Sequence, residues 1–555
     1  MFFKKNISTE NLLQYVKNND NVKIRDLTKN SSKYKSIKLN EKNKDGDYPL
    51  LCAVLERNTE TVKLLMEYAN KRNIILELND HNENGDYPLL SAILNNNVEI
   101  VKLLISYATK RRIPLELKAK NARDEEPLTA AISKNNNEIV QLLISYAEKH
   151  NMVLDLNQKG MNDIYPILLS TFQNNVEITK TLITYADKHN IKLELNEKDI
   201  IGNTPLLLAT FNNSFETVES LIQYAEKHQI LLDLNDKRID QNNPLLFAVT
   251  GNNIDMVNLL IEYANKHDIV LDIEDEDENK SPLLYAAVKN NIDMMKVIID
   301  YAGQHDIILE LNKKSKKGTY PVLLAAINNN LEMLTLLKEY AAQHTITLTI
   351  NEKENNGNSP LIVAINNDNI EMVKMLMDYA DSLDTPLPLN EKNNGGFTPF
   401  IIAMLNNNME MAQILIEYAE KNDIILDVNE KEINGNSPLL IATNHNNVKM
   451  TEMLMIYANE HHILLDLNQK NNTGNYPLLF ATSRHNLDMI KLLMDYADEN
   501  NVLLELSDKN NQGFNPLMHA YMCGSEDMDK LMFAYGEKHQ TNFKGNEHLF
   551  SIFIQ

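Results

Sequence analysis

The chain has 555 residues, with 77 acidic against 54 basic side chains and a formal net charge of -23. That balance argues against nucleic acid or anionic membrane as a main partner, since both demand clustered Lys and Arg, and leaves neutral or basic proteins. The opening MFFKKN has no apolar stretch of signal length, no run approaches the roughly 18 apolar residues of a membrane span, and the only cysteines are Cys52 and Cys523. A cytoplasmic, reducing setting without membrane insertion is the expectation.

A stretch at 9–27, TENLLQYVKNNDNVKIRDL, comes first, and beyond it thirteen prolines from Pro49 to Pro516 recur every 39 residues, with a single 38-residue step into Pro282. A fixed period of this size means stacked supersecondary units sharing one continuous core, so the chain reads as a rod-like, all-α repeat solenoid and a single domain. Thirteen repeats fill 40–539. The 9–27 stretch shares their phasing but carries Glu10 where proline belongs, which makes 1–39 a degenerate capping repeat; 540–555 is a cap or a tail.

Within a repeat, Thr204, Ser281, Ser359, Thr398 or Ser437 precedes the proline, an N-cap followed by Pro at the first helical position. The residue four past the proline is Ala in twelve copies and Ser170 in the other, small enough for two helices to approach closely. An Asn-rich corner follows, as at Asn95, Asn96 and Asn97, and the spacing of Asn96 to Glu99 or Asn407 to Glu410 predicts a capping box opening a second helix. That helix ends near a tyrosine found in every copy, Tyr68 to Tyr535. Alternation such as Ile74, Leu76, Leu78 then predicts an extended segment. Adjacent segments should not pair as a sheet, because stacked helices repeat at about 8–10 Å and strands at about 4.8 Å. In nine copies, Gly46 and Gly202 among them, a glycine three residues before the next proline predicts positive φ at a hairpin tip. The abundance of Asn is assigned no functional weight.

With GNTPLLLATFNN at 202–213 and LNEKNNGGFTP at 389–399, the unit resembles the ankyrin repeat over nearly the whole chain. Tetratricopeptide and HEAT-type pairs lack the Gly-bearing hairpin. The resemblance implies a stack of helix-turn-helix units with hairpin or extended segments between repeats. Two departures stand out. The usual period of about 33 residues is lengthened after the second helix, where KHNIKL occupies 188–193, and the family's helix-opening His is Leu, as at Leu51 and Leu207.

Eight histidines share one repeat position: His150, His189, His228, His267, His305, His344, His461 and His539. Ligands of one ion lie about 2 Å from it, far closer than equivalent atoms of neighbouring repeats, so a role on the last helix carbonyls is expected instead. Acids such as Glu60, Glu138, Glu216 and Glu371 recur at the start of the second helix and suit its dipole. With no phosphate-cradling loop, metal-ligand cluster or nucleophile elbow, a non-enzymatic protein without cofactor or metal is expected.

The resemblance implies a protein partner held on a concave face of hairpin tips and first helices, and a monomeric scaffold or adaptor. Most tips are polar, as at Glu83 and Asn84 or Lys316 and Lys317; the main patch is expected at 160–280. There the tips carry Met161, Ile164, Ile200, Ile201 and Ile239, the first helices end in Phe172 and Phe211, and an acidic tip of Glu274, Asp275, Glu276, Asp277 and Glu278 suits a basic partner. Two other readings stay open: a mechanical or spacing element with no dedicated patch, and a substrate adaptor of an enzyme complex docking through the C-terminal FSIFIQ.

Overall fold

A computed structural model describes residues 7–29, 34, 37–274 and 280–540. Among these are 28 α-helices, one 3-10 turn and no strand, so the protein is an all-α repeat solenoid. The chain divides into two compact units, 1–273 and 274–555. The division falls at the acidic run, inside the one shortened repeat.

Each repeat opens on a short helix such as Pro49–Leu55 or Pro205–Phe211. Thr204 Oγ1 accepts from Leu207 N and Thr398 Oγ1 from Ile401 N, and Ser281, Ser359 and Ser437 act alike, so the expected caps form. Five repeats place Tyr at this position instead, and its phenol reaches forward to the next repeat: Tyr48 Oη donates to Asp80 O at 3.0 Å and Tyr165 Oη to Glu197 O at 2.9 Å. The small residue beside the helix crossing is buried throughout, Ala53 to Ala520, and Ser170 Oγ accepts from Thr179 Oγ1 at 2.9 Å.

The three corner asparagines do three separate jobs, which gives their abundance a structural cause. The first couples to the previous repeat: Asn212 Nδ2 donates to Thr171 O at 2.8 Å. The second takes the left-handed conformation, Asn96 at φ 54° and Asn407 at φ 52°, which Asn tolerates. The third caps the second helix, as Asn97 Oδ1 accepts from Ile100 N at 3.1 Å. The capping box expected from Asn96 and Asn407 is therefore not formed; the cap lies one residue later. Glu99 is left in the first helical turn, where it pairs with Lys63 of the preceding repeat.

The second helix, for example Val176–His189, buries one apolar stripe and its tyrosine. Past it the chain is extended without pairing as a strand, as spacing predicts, and side chains bridge the gap that backbone cannot. Asn157 Nδ2 donates to Lys192 O at 2.8 Å, and its Oδ1 accepts from Glu194 N at 3.2 Å, an amide standing in for a neighbouring strand. Asn196 and Asn235 repeat the arrangement one and two repeats on. All nine tip glycines have φ between +73° and +86°.

Before the first full repeat stand helices Thr9–Lys17 and Asn21–Lys29. Asn58 Nδ2 donates to Asn19 Oδ1 at 2.7 Å, continuing the corner ladder to this end.

Candidate functional site: tips and first-helix ends of three consecutive repeats

Three neighbouring repeats in the first unit bring the expected apolar residues together. Ile200 N donates to Asn162 O at 3.4 Å and Ile239 N to Ile201 O at 3.3 Å, so the three tips form one backbone-linked row. The Asn212 bond to Thr171 O holds the two first-helix ends side by side, and with them Phe172 and Phe211. Arg238 ties the tips to the helix ends: its guanidinium carbon lies 5.3 Å from the Phe211 ring centre and 5.9 Å from that of Phe247. The two rings meet edge to face with centroids 5.3 Å apart. Sequence alone does not single out Arg238 and Phe247, the latter three residues short of one repeat beyond Phe211.

Exposure grades the members. Met161, Phe172, Ile200, Ile201, Phe211 and Ile239 are all exposed, from 40 % at Ile201 to 75 % at Ile239. Ile164 is only half-exposed, behind the 3-10 turn Met161–Asp163, where Asn162 and Asp163 both have φ 60°. The acidic tip is of a different kind. Glu274 belongs to the second unit, where its Oε1 accepts from Glu310 N at 3.2 Å, the work that asparagine does in other repeats. Asp275, Glu276, Asp277 and Glu278 lie outside the described residues, as does FSIFIQ.

The histidines correct an expectation. All eight pack against the tyrosine one helical turn earlier, with ring centroids 4.2–4.4 Å apart and the rings tilted by 28–41°. Several face an acid of the preceding repeat rather than a helix carbonyl: His228 Nε2 is 2.6 Å from Asp187 Oδ1 and His539 Nε2 is 2.6 Å from Asp498 Oδ1. The tyrosine offers a flat apolar wall and the end of the preceding second helix a carboxylate, so the ring spans both. The acids at the start of the second helix sit in the first turn as expected, and Lys180 reaches Glu216 at 2.8 Å across repeats.

One titratable group is out of place. Glu126 occupies the position that holds Tyr or a capping residue elsewhere, makes no side-chain cap bond, and is buried. Burial pushes its carboxyl up to about 7, against which Lys120 pulls it down. It lines a cavity of about 170 Å³ together with Lys118, Lys120 and Asp155. Among the described residues no group of three His, Cys, Asp or Glu is placed to hold a metal ion, and no helix is long and apolar enough to cross a membrane. Cys52 is buried, and burial pushes its thiol up to about 12; both cysteines are free.

The family described as Ankyrin repeats (3 copies) matches overlapping stretches from 12–114 through 460–542, with no gap between them. The chain belongs to the ankyrin-repeat family. Among solved structures it is similar to the ankyrin repeat domain of Bcl-3, a member of the IkappaB protein family, at 22% identity and a TM-score of 0.34, over 47% of this chain and 99% of that one. No curated protein matches the chain. Ankyrin repeats are in general modules of protein–protein interaction, which is the class of activity the fold defines.

Proposed function

We propose that the chain is a non-enzymatic scaffold or adaptor whose main partner is a neutral or basic protein, bound on the face made by the tips at 161–164, 199–202 and 238–242 and the helix ends at Phe172 and Phe211. The observation that carries this reading is the contiguity of exposed Phe172, Phe211, Ile201 and Ile239, with Arg238 joining tip to helix end. The repeats act as internal controls: most equivalent tips elsewhere are polar, with Ile433 an isolated exception, so the fold itself does not demand isoleucine there. Large rings beside an arginine are the residue types that anchor interfaces. The formal charge of -23 suits a basic partner through long-range steering. Two free thiols agree with a reducing, cytoplasmic setting. The helix pair Thr9–Lys29 serves as the N-terminal cap of the stack.

The test is a quantitative pull-down with the triple variant Phe172→Ser, Phe211→Ser, Ile201→Ser, its helix content checked by circular dichroism. Loss of the partner recovered by the wild type supports the site; equal recovery by a folded variant removes it and leaves the spacing-element reading.

A further inference from the structure

The second helix of the Pro438 repeat, Val448–Glu460, breaks patterns that its counterparts keep. At the second helical residue the other twelve repeats carry Glu or Asp, from Glu60 to Asp527; here stands Lys449. Seven residues on, the others are polar or acidic, from Glu67 to Asp495, with Ala534 in the last; here stands Ile456, 52% exposed. Neither change serves the core, since both positions face out.

Both changed residues line the same groove. At four other junctions a lysine on one second helix reaches the acid on the next, as Lys180 does Glu216 at 2.8 Å and Lys296 does Glu332 at 2.7 Å. Between Met409–Lys421 and Val448–Glu460 the equivalent residues are Gln413 and Lys449, which cannot form that ion pair. A groove of about 420 Å³ lies there, floored by Ile416, Met453 and Ile456. Its other lining charges are Glu417, Glu420, Glu452 and Glu460 against the single Lys449.

We propose that this groove is a second docking site, distinct from the tip face, which takes a basic amphipathic helix of a partner protein. Two neighbouring helices with an apolar floor accept a third helix along the trough, its apolar stripe on Ile416, Met453 and Ile456. The four glutamates select Lys and Arg on the flanks of that stripe, and an acidic or neutral helix lacks the complement.

The probe is a fluorescein-labelled helical peptide with a leucine stripe flanked by lysines, titrated into the full chain by anisotropy and mapped by hydrogen exchange. The expected result is binding with protection of 409–421 and 448–460, weakened about tenfold or more by Ile456→Asp or Glu452→Lys, an interface-anchor effect. Ile433→Asp, at an even more exposed isoleucine on a tip, leaves it unchanged. No binding, equal weakening by Ile433→Asp, full binding to Ile456→Asp, protection elsewhere, or the same segments protected by self-association of the chain without peptide would overturn the proposal.

Discussion

Tyr146 Oη accepts the backbone N–H of Leu115 at 2.9 Å, while its own hydroxyl hydrogen goes to Ile113 O at 3.2 Å. One phenol thus satisfies a buried donor and a carbonyl of the preceding repeat's extended segment, which has no strand partner of its own. Both bonds recur at Tyr185, Tyr263 and Tyr340, and Tyr457 likewise accepts the Leu426 N–H. Tyrosine is held at this position by hydrogen bonding as well as by its apolar ring.

Tyr146→Phe keeps the ring and strands both backbone groups. It should destabilise by about 1–3 kcal/mol, the cost of leaving a buried polar group unpaired. Urea unfolding measures the loss, and the Leu115 amide should exchange faster while amides in distant repeats do not, because stability in such arrays passes between nearest neighbours.

Glu126 gives a pH dependence of known sign. Its folded carboxyl titrates at about 7, raised from the usual carboxylate range by burial. The stability it allows is fully present below the unfolded value and is lost as pH rises through 7. Glu126→Gln should therefore raise the stability of the first unit at pH 8 by about 1–2 kcal/mol and change little at pH 4. Glu126→Tyr should do more, filling the cavity and restoring the forward hydroxyl bond that Tyr87 makes to Glu116 O and Ala119 O.

The carboxylates that clip one second helix to the next respond in the opposite direction. Lys188 beside Glu148, and Lys538 beside Asp498, hold these acids below their usual range. A depressed folded value gives stability that is present above the unfolded value and disappears as pH falls through the folded one. Thermal melts should drop below about pH 4, where such carboxylates titrate, and the drop should shrink in the Asp498→Asn variant, which has already lost the clip.

Gly46 and Gly513 share a left-handed backbone, φ +80° and +86°, but not their surroundings. A Cβ at Gly46 would lie 2.8 Å from Asn82 Cα, whereas at Gly513 it meets nothing within 4 Å. Gly513→Ala should cost only the conformational penalty, about 1–2 kcal/mol, and Gly46→Ala distinctly more, since backbone of the next repeat must move. Denaturation midpoints of the two variants separate the effects.

Local chemistry made much of the repeat legible. Proline at the first helical position, Ser and Thr caps, and tip glycines each act within four residues, so a single sequence carries their signal. The capping box was placed one residue early because a run of three asparagines offers three caps, and only folding shows that Asn96 and not Asn97 turns left-handed. Partners 31 to 41 residues away were not legible at all: the Tyr146 bond to Leu115, the acid contact of His228, and the amide bridge of Asn157. At the candidate site the exposed Ile and Phe residues stood out as departures from the repeat. Arg238 did not, because its role depends on rings in two neighbouring first helices, Phe211 and Phe247.

Cross-linking mass spectrometry of the wild-type chain purified with its bound protein tests the central claim most directly. Lys159, Lys198 and Lys237 flank the three apolar tips and pair across repeats with Glu197, Asp236 and Asp272. The account predicts that partner cross-links in the first unit concentrate on these lysines. Cross-links spread evenly over the repeats, or confined to second-helix lysines such as Lys149, Lys188 and Lys227, would contradict it.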